Sequence, residues 1–221
     1  FNKDKLFPAA SVVKIPIMAA CFYAAHEGNI SLEEKLSIKP SARIAGSGIL
    51  KTMPAGSIFT VGELVEIMIT KSDNTAANML IDRLGFDYIN GFFKKAGLKH
   101  TNLSRKMMDF KHRKNGMENY TTPEDIAFLL GKIYRGEFLG KEVSRRCLEL
   151  LLQQKINDRI PAKLPRGVPV AHKTGLERWI CHDVGIVFTS KGNFLICVLT
   201  KSKTSLKEVK EFIARLARDT Y

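Results

Sequence analysis

From Ser11 to His26 the chain is almost continuously apolar, and Gly28 follows as a stop. That run predicts a buried helix, with Pro16 in its early turns, where a missing backbone N–H does little harm. Residues 29 to 58 lose the pattern and carry Pro40, Gly46, Gly48, Pro54 and Gly56, which predicts loop and turn. Thr60 and Glu63 fit a capping box ahead of Leu64, Ile67 and Met68, so a second helix is expected to about Lys71. Asn74 opens a third, with Ala77, Leu80, Ile81 and Leu84 inward and Gly85 at its end. A short fourth covers about Asp87 to Ala96. Residues 101 to 120 are polar and irregular, a length of loop that in compact domains is often functional. Thr122 and Pro123 then start a helix bearing Ile126, Leu129, Leu130 and Ile133, and another runs from about Lys141 to Gln154.

After Pro165 the texture changes. Val168–Lys173, Val184–Thr189 and Phe194–Thr200 read as strands, with residues 190 to 193 as a hairpin turn. Ser205 and Glu208 cap a final amphipathic helix to Arg218, whose apolar stripe is Val209, Phe212, Ile213 and Leu216. The expected fold class is α/β (α+β) in a single domain over residues 1–221. A mainly helical part spans 11–165; the sheet and a C-terminal helix packed on it span 166–221.

Composition narrows the function only a little. The 221 residues are 45% apolar, enough for a core, and no stretch is long enough to span a bilayer. The net charge of +13 suggests nucleic acid, but the basic residues are spread out and the densest run, Lys111-His112-Arg113-Lys114, is short. A basic, soluble surface that attracts small anions fits better, so no nucleic-acid partner is expected. Cys21, Cys147, Cys181 and Cys197 show no metal spacing and lie in apolar segments, which predicts buried free thiols. No cofactor or metal is implied.

The chemistry sits in three short motifs: Ser11-Val12-Val13-Lys14, Ser72-Asp73-Asn74 and Lys173-Thr174-Gly175. A serine hydroxyl is a poor nucleophile until a base takes its proton. Lys14 lies one helical turn from Ser11, and burial beside a second cation would favour its neutral amine. Ser11 at a helix N-terminus also places its backbone N–H where negative charge would develop. Each motif is weak alone, since Ser11 could cap a helix and Lys173 could end a strand in solvent. Their joint occurrence in this order is what counts.

Together the motifs resemble those of class A β-lactamases and penicillin-binding proteins, from about Phe7 to the C-terminus. The resemblance implies a serine acyl-transfer enzyme with Ser11 as nucleophile and Lys14 as its activating partner. Lys173 would approach both. Ser72 would relay a proton to the leaving nitrogen, and Asn74 would bind a substrate amide and Lys14. Lys173 and Thr174 would hold a substrate carboxylate, Gly175 would let substrate lie close to the strand, and the N–H of Leu176, just past the strand end, would complete the oxyanion hole. Asp73 would be mainly structural. The implied partners are a β-lactam antibiotic or a peptidoglycan peptide, in an extracytoplasmic setting. Oligomeric state stays open, as do the roles of His172 and Trp179, each equally readable as packing.

Two departures from the family stand out. Arg105 matches the arginine that anchors the family's catalytic loop, but Met107 falls where its deacylating glutamate should be. Asn119 falls where a loop-closing aspartate would pair with Arg105. Slow deacylation is therefore expected, unless Asp109 or Glu118 substitutes. The family also places a helix and two strands before the nucleophile, whereas ten residues precede Ser11 here. A truncated chain is expected, or a three-stranded sheet with open edges. The competing readings are a penicillin-binding D,D-peptidase acting on D-Ala-D-Ala peptides and a non-catalytic binding module that retains the fold.

Overall fold

The computed structural model describes residues 1–221. A short strand β1 (Phe7–Pro8) leads into a single 3-10 turn over Ala10–Val13, and helix α1 (Lys14–His26) continues from it. Ser11 therefore lies in the tighter turn and Lys14 is the first α-helical residue, where a uniform helix from Ser11 was expected. Ala10, the first residue of that turn, has φ of +44°, a left-handed conformation that costs a non-glycine residue energy.

The stretch from 29 to 58, expected as loop and turn, contains β2 (Lys35–Ser37), and β3 (Ile58–Thr60), which pairs with it antiparallel, begins at its end. Helix α2 (Val61–Thr70) opens on the capping box. The Glu63 amide donates to Thr60 Oγ1 at 3.1 Å, and the Thr60 amide donates to Glu63 Oε2 at 2.7 Å. Helices α3 (Asn74–Leu84), α4 (Phe86–Ala96), α5 (Phe110–Lys114), α6 (Pro123–Tyr134) and α7 (Gly140–Leu152) follow. A two-residue strand β4 (Tyr120–Thr121) pairs with β1 and closes the irregular segment.

The sheet departs from the expected strand bounds. Strand β5 is Val170–Glu177, β6 is Ile180–Val187 and β7 is Phe194–Lys201, antiparallel in that order. The expected second strand began four residues late, because Cys181-His182-Asp183 reads as polar interruption in a one-dimensional pattern. Its turn is Arg178-Trp179, with Trp179 at φ +64°. Lys173-Thr174-Gly175 consequently lies within β5 and Leu176 is a strand residue, which corrects the expected strand end.

Alternation on β7 divides the core in two. Leu195, Cys197 and Leu199 face the large apolar cluster built on α1, α2, α3, α4, α6 and α7; Phe194, Ile196 and Val198 face a smaller cluster with Val209, Ile213 and Ala217. Those last three belong to helix α8 (Leu206–Thr220), which carries the second capping box. Phe212 and Leu216, expected in its inward stripe, are 52% and 40% exposed, so that stripe is narrower than its pattern implied. All four cysteines are free, three of them buried and Cys197 partly so. No helix is long and apolar enough to cross a membrane.

Candidate active site

The three motifs come from three distant parts of the chain, and a glycine lets two of them meet. Gly175 packs against the turn that bears Ser11. A Cβ at that position would stand 3.2 Å from Val12 Cγ2 and 3.3 Å from the His182 ring. The missing side chain is thus explained by helix–strand packing as well as by the room for substrate that the sequence suggested. Ser11 is half-buried at this junction, and Lys14, one turn on, is fully buried.

Lys14 Nζ donates to the Ser72 carbonyl at 2.7 Å, to Asn74 Oδ1 at 2.8 Å and, more loosely, to Ser72 Oγ at 3.4 Å. Lys173, also fully buried, donates from Nζ to Ser72 Oγ at 2.8 Å and to the Thr174 carbonyl at 3.0 Å. The Ser72 hydroxyl thus lies between two lysines. Ser72 itself has φ of +53°, a second strained backbone position beside Ala10. Leu176, next along β5, is half-exposed at the rim.

Burial pushes the Lys14 ammonium well below its ordinary range, and the Lys173 charge pushes it further against the opposing pull of Asp73. Lys173 is brought down to about 7, first by burial, with the Asp183 carboxylate opposing and the Arg159 charge assisting. Two buried lysines sharing one hydroxyl give a site in which both ammonium groups lose their proton more readily than in water.

Asp73 is tied into the framework. It caps α3 by accepting from the Ala76 amide at 2.9 Å, and its other oxygen accepts from the Ile49 and Leu50 amides at 2.6 and 2.8 Å. Gly48 is required here, since a Cβ would overlap the Asp73 carboxylate. The Asn74 amide donates to the Ser47 carbonyl at 3.1 Å, and Asn74 Nδ2 donates to the Ala45 carbonyl at 3.2 Å. Residues 45 to 50 thus form one wall of the site. Sequence reasoning had left them as unassigned loop; the paired glycines around Ser47 were the available signal.

Arg159 was also missed. It is 1% exposed, with Nε donating to Cys181 Sγ at 3.2 Å. Its Nη1 lies 2.9 Å from Asp158 Oδ1 but off the N–H direction, and it is the one buried side-chain polar atom without a hydrogen-bond partner. A lone arginine between loops carries no sequence signature.

The 103–119 segment is closed by ions. Arg105 pairs with Glu118 at 2.6 Å and Glu177 at 3.2 Å, and Arg113 pairs with Glu118 at 2.8 Å and Glu177 at 2.6 Å. Asn119, expected opposite the Arg105 side chain, instead binds its backbone: Oδ1 accepts from the Ser104 and Arg105 amides, and Nδ2 donates to the Arg105 carbonyl. Met107 is buried, its amide and carbonyl both held by the Asn78 side chain at 2.8 and 3.1 Å. The two carboxylates offered as substitutes for a glutamate at Met107 are already engaged. Glu118 lies in the ion network, and Asp109 caps α5 and pairs with His112 at 2.5 Å. His172 is buried between Asp183 Oδ1 at 2.9 Å and Asn157 Oδ1 at 3.0 Å, a packed histidine. Trp179 stands exposed at the β5–β6 turn with the Arg178 guanidinium 4.3 Å from its ring.

A family model described as the beta-lactamase enzyme family matches residues 1–221. The chain belongs to that family. Among β-lactamase relatives, PSE-4 of Pseudomonas aeruginosa is 25% identical over 228 residues, covering 100% of this chain and 78% of its own length. VEB-1 of the same organism is 26% identical, with 100% and 79% covered. Among solved structures, a β-lactamase from Sphaerobacter thermophilus superposes with a TM-score of 0.92 at 32% identity, covering 100% of this chain and 84% of that one. PBP-A superposes with a TM-score of 0.91 at 35% identity, covering 99% and 82%. A mutant of PBP-A in an acyl-enzyme complex with penicillin G superposes with a TM-score of 0.91 at 34% identity, covering 100% and 83%. The β-lactamase fold is therefore that of this chain, and its relatives include both β-lactamases and a PBP.

Proposed function

We propose that Ser11 is acylated by β-lactams and that the resulting ester is hydrolysed slowly. The observation that carries the reading is the full burial of Lys14 among Ser72, Asn74 and Lys173. A neutral Lys14 amine takes the Ser11 proton as Oγ attacks the carbonyl carbon. Lys14 gives its own hydrogen bonds to Ser72 and Asn74 in the free protein, and such catalytic contacts commonly tighten only around substrate. The C–N bond then breaks, and the Ser72 hydroxyl gives its proton to the leaving nitrogen and recovers one from Lys14. The Ser11 and Leu176 amides hold the oxyanion, a donor of this kind being worth about 3–4 kcal/mol. Lys173 and Thr174, with the Arg159 charge behind them, hold the substrate carboxylate.

Deacylation needs a base beside a water, and a Met107 thioether cannot serve. That favours a penicillin-binding D,D-peptidase, acting on acyl-D-Ala-D-Ala peptides, as the second reading, and the likeness to PBP-A points the same way. An extracytoplasmic setting goes with either reading.

The test is intact-protein mass spectrometry after mixing with a penicillin, with Ser11→Ala alongside. The expected result is a one-to-one adduct on the wild type that persists for many minutes and is absent from the variant. No adduct would end the acylation reading; rapid loss of the adduct would end the slow-hydrolysis part.

A further inference from the structure

Three apolar side chains, each nearly half exposed, meet where β5 turns into β6 and α8 begins. Leu176, Trp179 and Leu206 line one open cavity of about 360 Å³, together with the buried Ile180 and Val209. The Ser202 amide donates to the Trp179 carbonyl at 2.9 Å and ties the end of β7 to the same turn. Scattered apolar residues on a surface need no explanation, but a contiguous patch marks a contact site. Trp179 also has φ of +64°, a left-handed backbone that glycine adopts freely and tryptophan adopts at a cost. The turn thus holds a large aromatic ring in solvent against both its backbone and its solvation preference.

Cations surround that ring. The Arg178 guanidinium lies 4.3 Å from its centroid and Lys203 Nζ lies 5.7 Å from it. Lys201 and Lys207, both exposed, flank Ser202 and Leu206 in the chain. The nearby acids are engaged elsewhere: Glu177 with Arg105 and Arg113, Glu208 in the cap of α8, and Glu211 with Lys163. That leaves Arg178, Lys201, Lys203 and Lys207 without an ion-pair partner. A soluble polyanion would answer the charges and leave the apolar patch in water. Anionic headgroups above hydrocarbon answer both, since tryptophan favours that interface and lysine and arginine are drawn to its negative potential.

We propose that this end of the molecule docks on anionic phospholipid bilayers, with Leu176, Trp179 and Leu206 at the headgroup level and the four cations against lipid phosphates. No helix is long and apolar enough to cross a membrane, so the docking is peripheral and reversible.

Trp179 is the only tryptophan of the chain, so its fluorescence reports on this patch alone. The test mixes the protein with vesicles of phosphatidylglycerol and phosphatidylcholine in equal parts, or of phosphatidylcholine only. The mixed vesicles are expected to sediment the protein and shift its emission to the blue; the neutral ones do neither, and high salt reverses the binding. Replacing Lys201, Lys203 and Lys207 together by glutamine is expected to lower partitioning about a hundredfold, at about fivefold for each cation. Trp179→Ser is expected to weaken sedimentation about tenfold with all the charges kept. No sedimentation with the mixed vesicles, sedimentation without the blue shift, or undiminished binding of either variant overturns the proposal. An equal blue shift with soluble polyphosphate also overturns it, by making the patch a polyanion site. None of these readouts depends on acylation of Ser11.

Discussion

The serine pocket and the 103–119 loop face each other, and both are full of buried charge, yet they treat it oppositely. In the pocket, Lys14 and Lys173 are bound to hydroxyl, amide and carbonyl oxygens and no carboxylate touches either ammonium. Burial lowers the proton affinity of both, and no ion pair in contact restores it. In the loop, Arg105 and Arg113 are matched by Glu118 and Glu177, a closed set in which each charge meets two opposite ones. Unmatched charge is reactive and costly; matched charge is inert and shape-holding. The first region leaves its charges without a counter-ion in contact, and the second uses its charges to hold a wall in place.

The largest way to break this contrast is to remove the reactive amine. Lys14→Met is expected to slow penicillin acylation by about a thousandfold while the fold persists, as stopped-flow labelling and circular dichroism would report. A labelling rate close to wild type would mean that Lys14 is not the base. The next test moves reactivity into the wall. Met107→Glu, held at the backbone by Asn78, is expected to speed release of bound penicillin by about a hundredfold. Unchanged release would place the obstacle to hydrolysis elsewhere.

A smaller effect probes the wall as structure. Glu118→Gln strips the strongest partner from Arg105 but leaves Glu177, so a loss of about 2 kcal/mol in stability is expected by denaturant titration, with the labelling rate little changed. The smallest concerns pH. Lys173 has its proton below about pH 7 and loses it above, so penicillin should bind a few-fold more weakly as pH rises through that value. Lys173→Arg keeps its charge throughout and is expected to flatten that limb of the profile.

Much of this contrast was legible in the sequence, for identifiable reasons. Thr60, Ser205 and Pro123 act within one helical turn, so the helix starts they predict are those observed. The three motifs were visible because each is contiguous. Strand β6 was misplaced because His182 and Asp183 look like surface residues, yet Pro8 and His172 give them buried partners from elsewhere. The Glu118–Arg105–Glu177–Arg113 set was invisible for the same cause. Asn119 was matched to Arg105 by counting, and it does bind Arg105, but through the main chain. Partnership at long range is a property of the fold, and a string of residues does not carry it.

The close contact of Gly175 with Val12 has a consequence in time. The turn bearing Ser11 is made first, and the strand that completes its surroundings some hundred and sixty residues later, about ten to thirty seconds at usual rates. Until β5 docks, Lys14 lacks the second cation that stands beside it in the folded chain. The growing chain thus carries the Ser11 turn through most of its synthesis without the strand that packs against it.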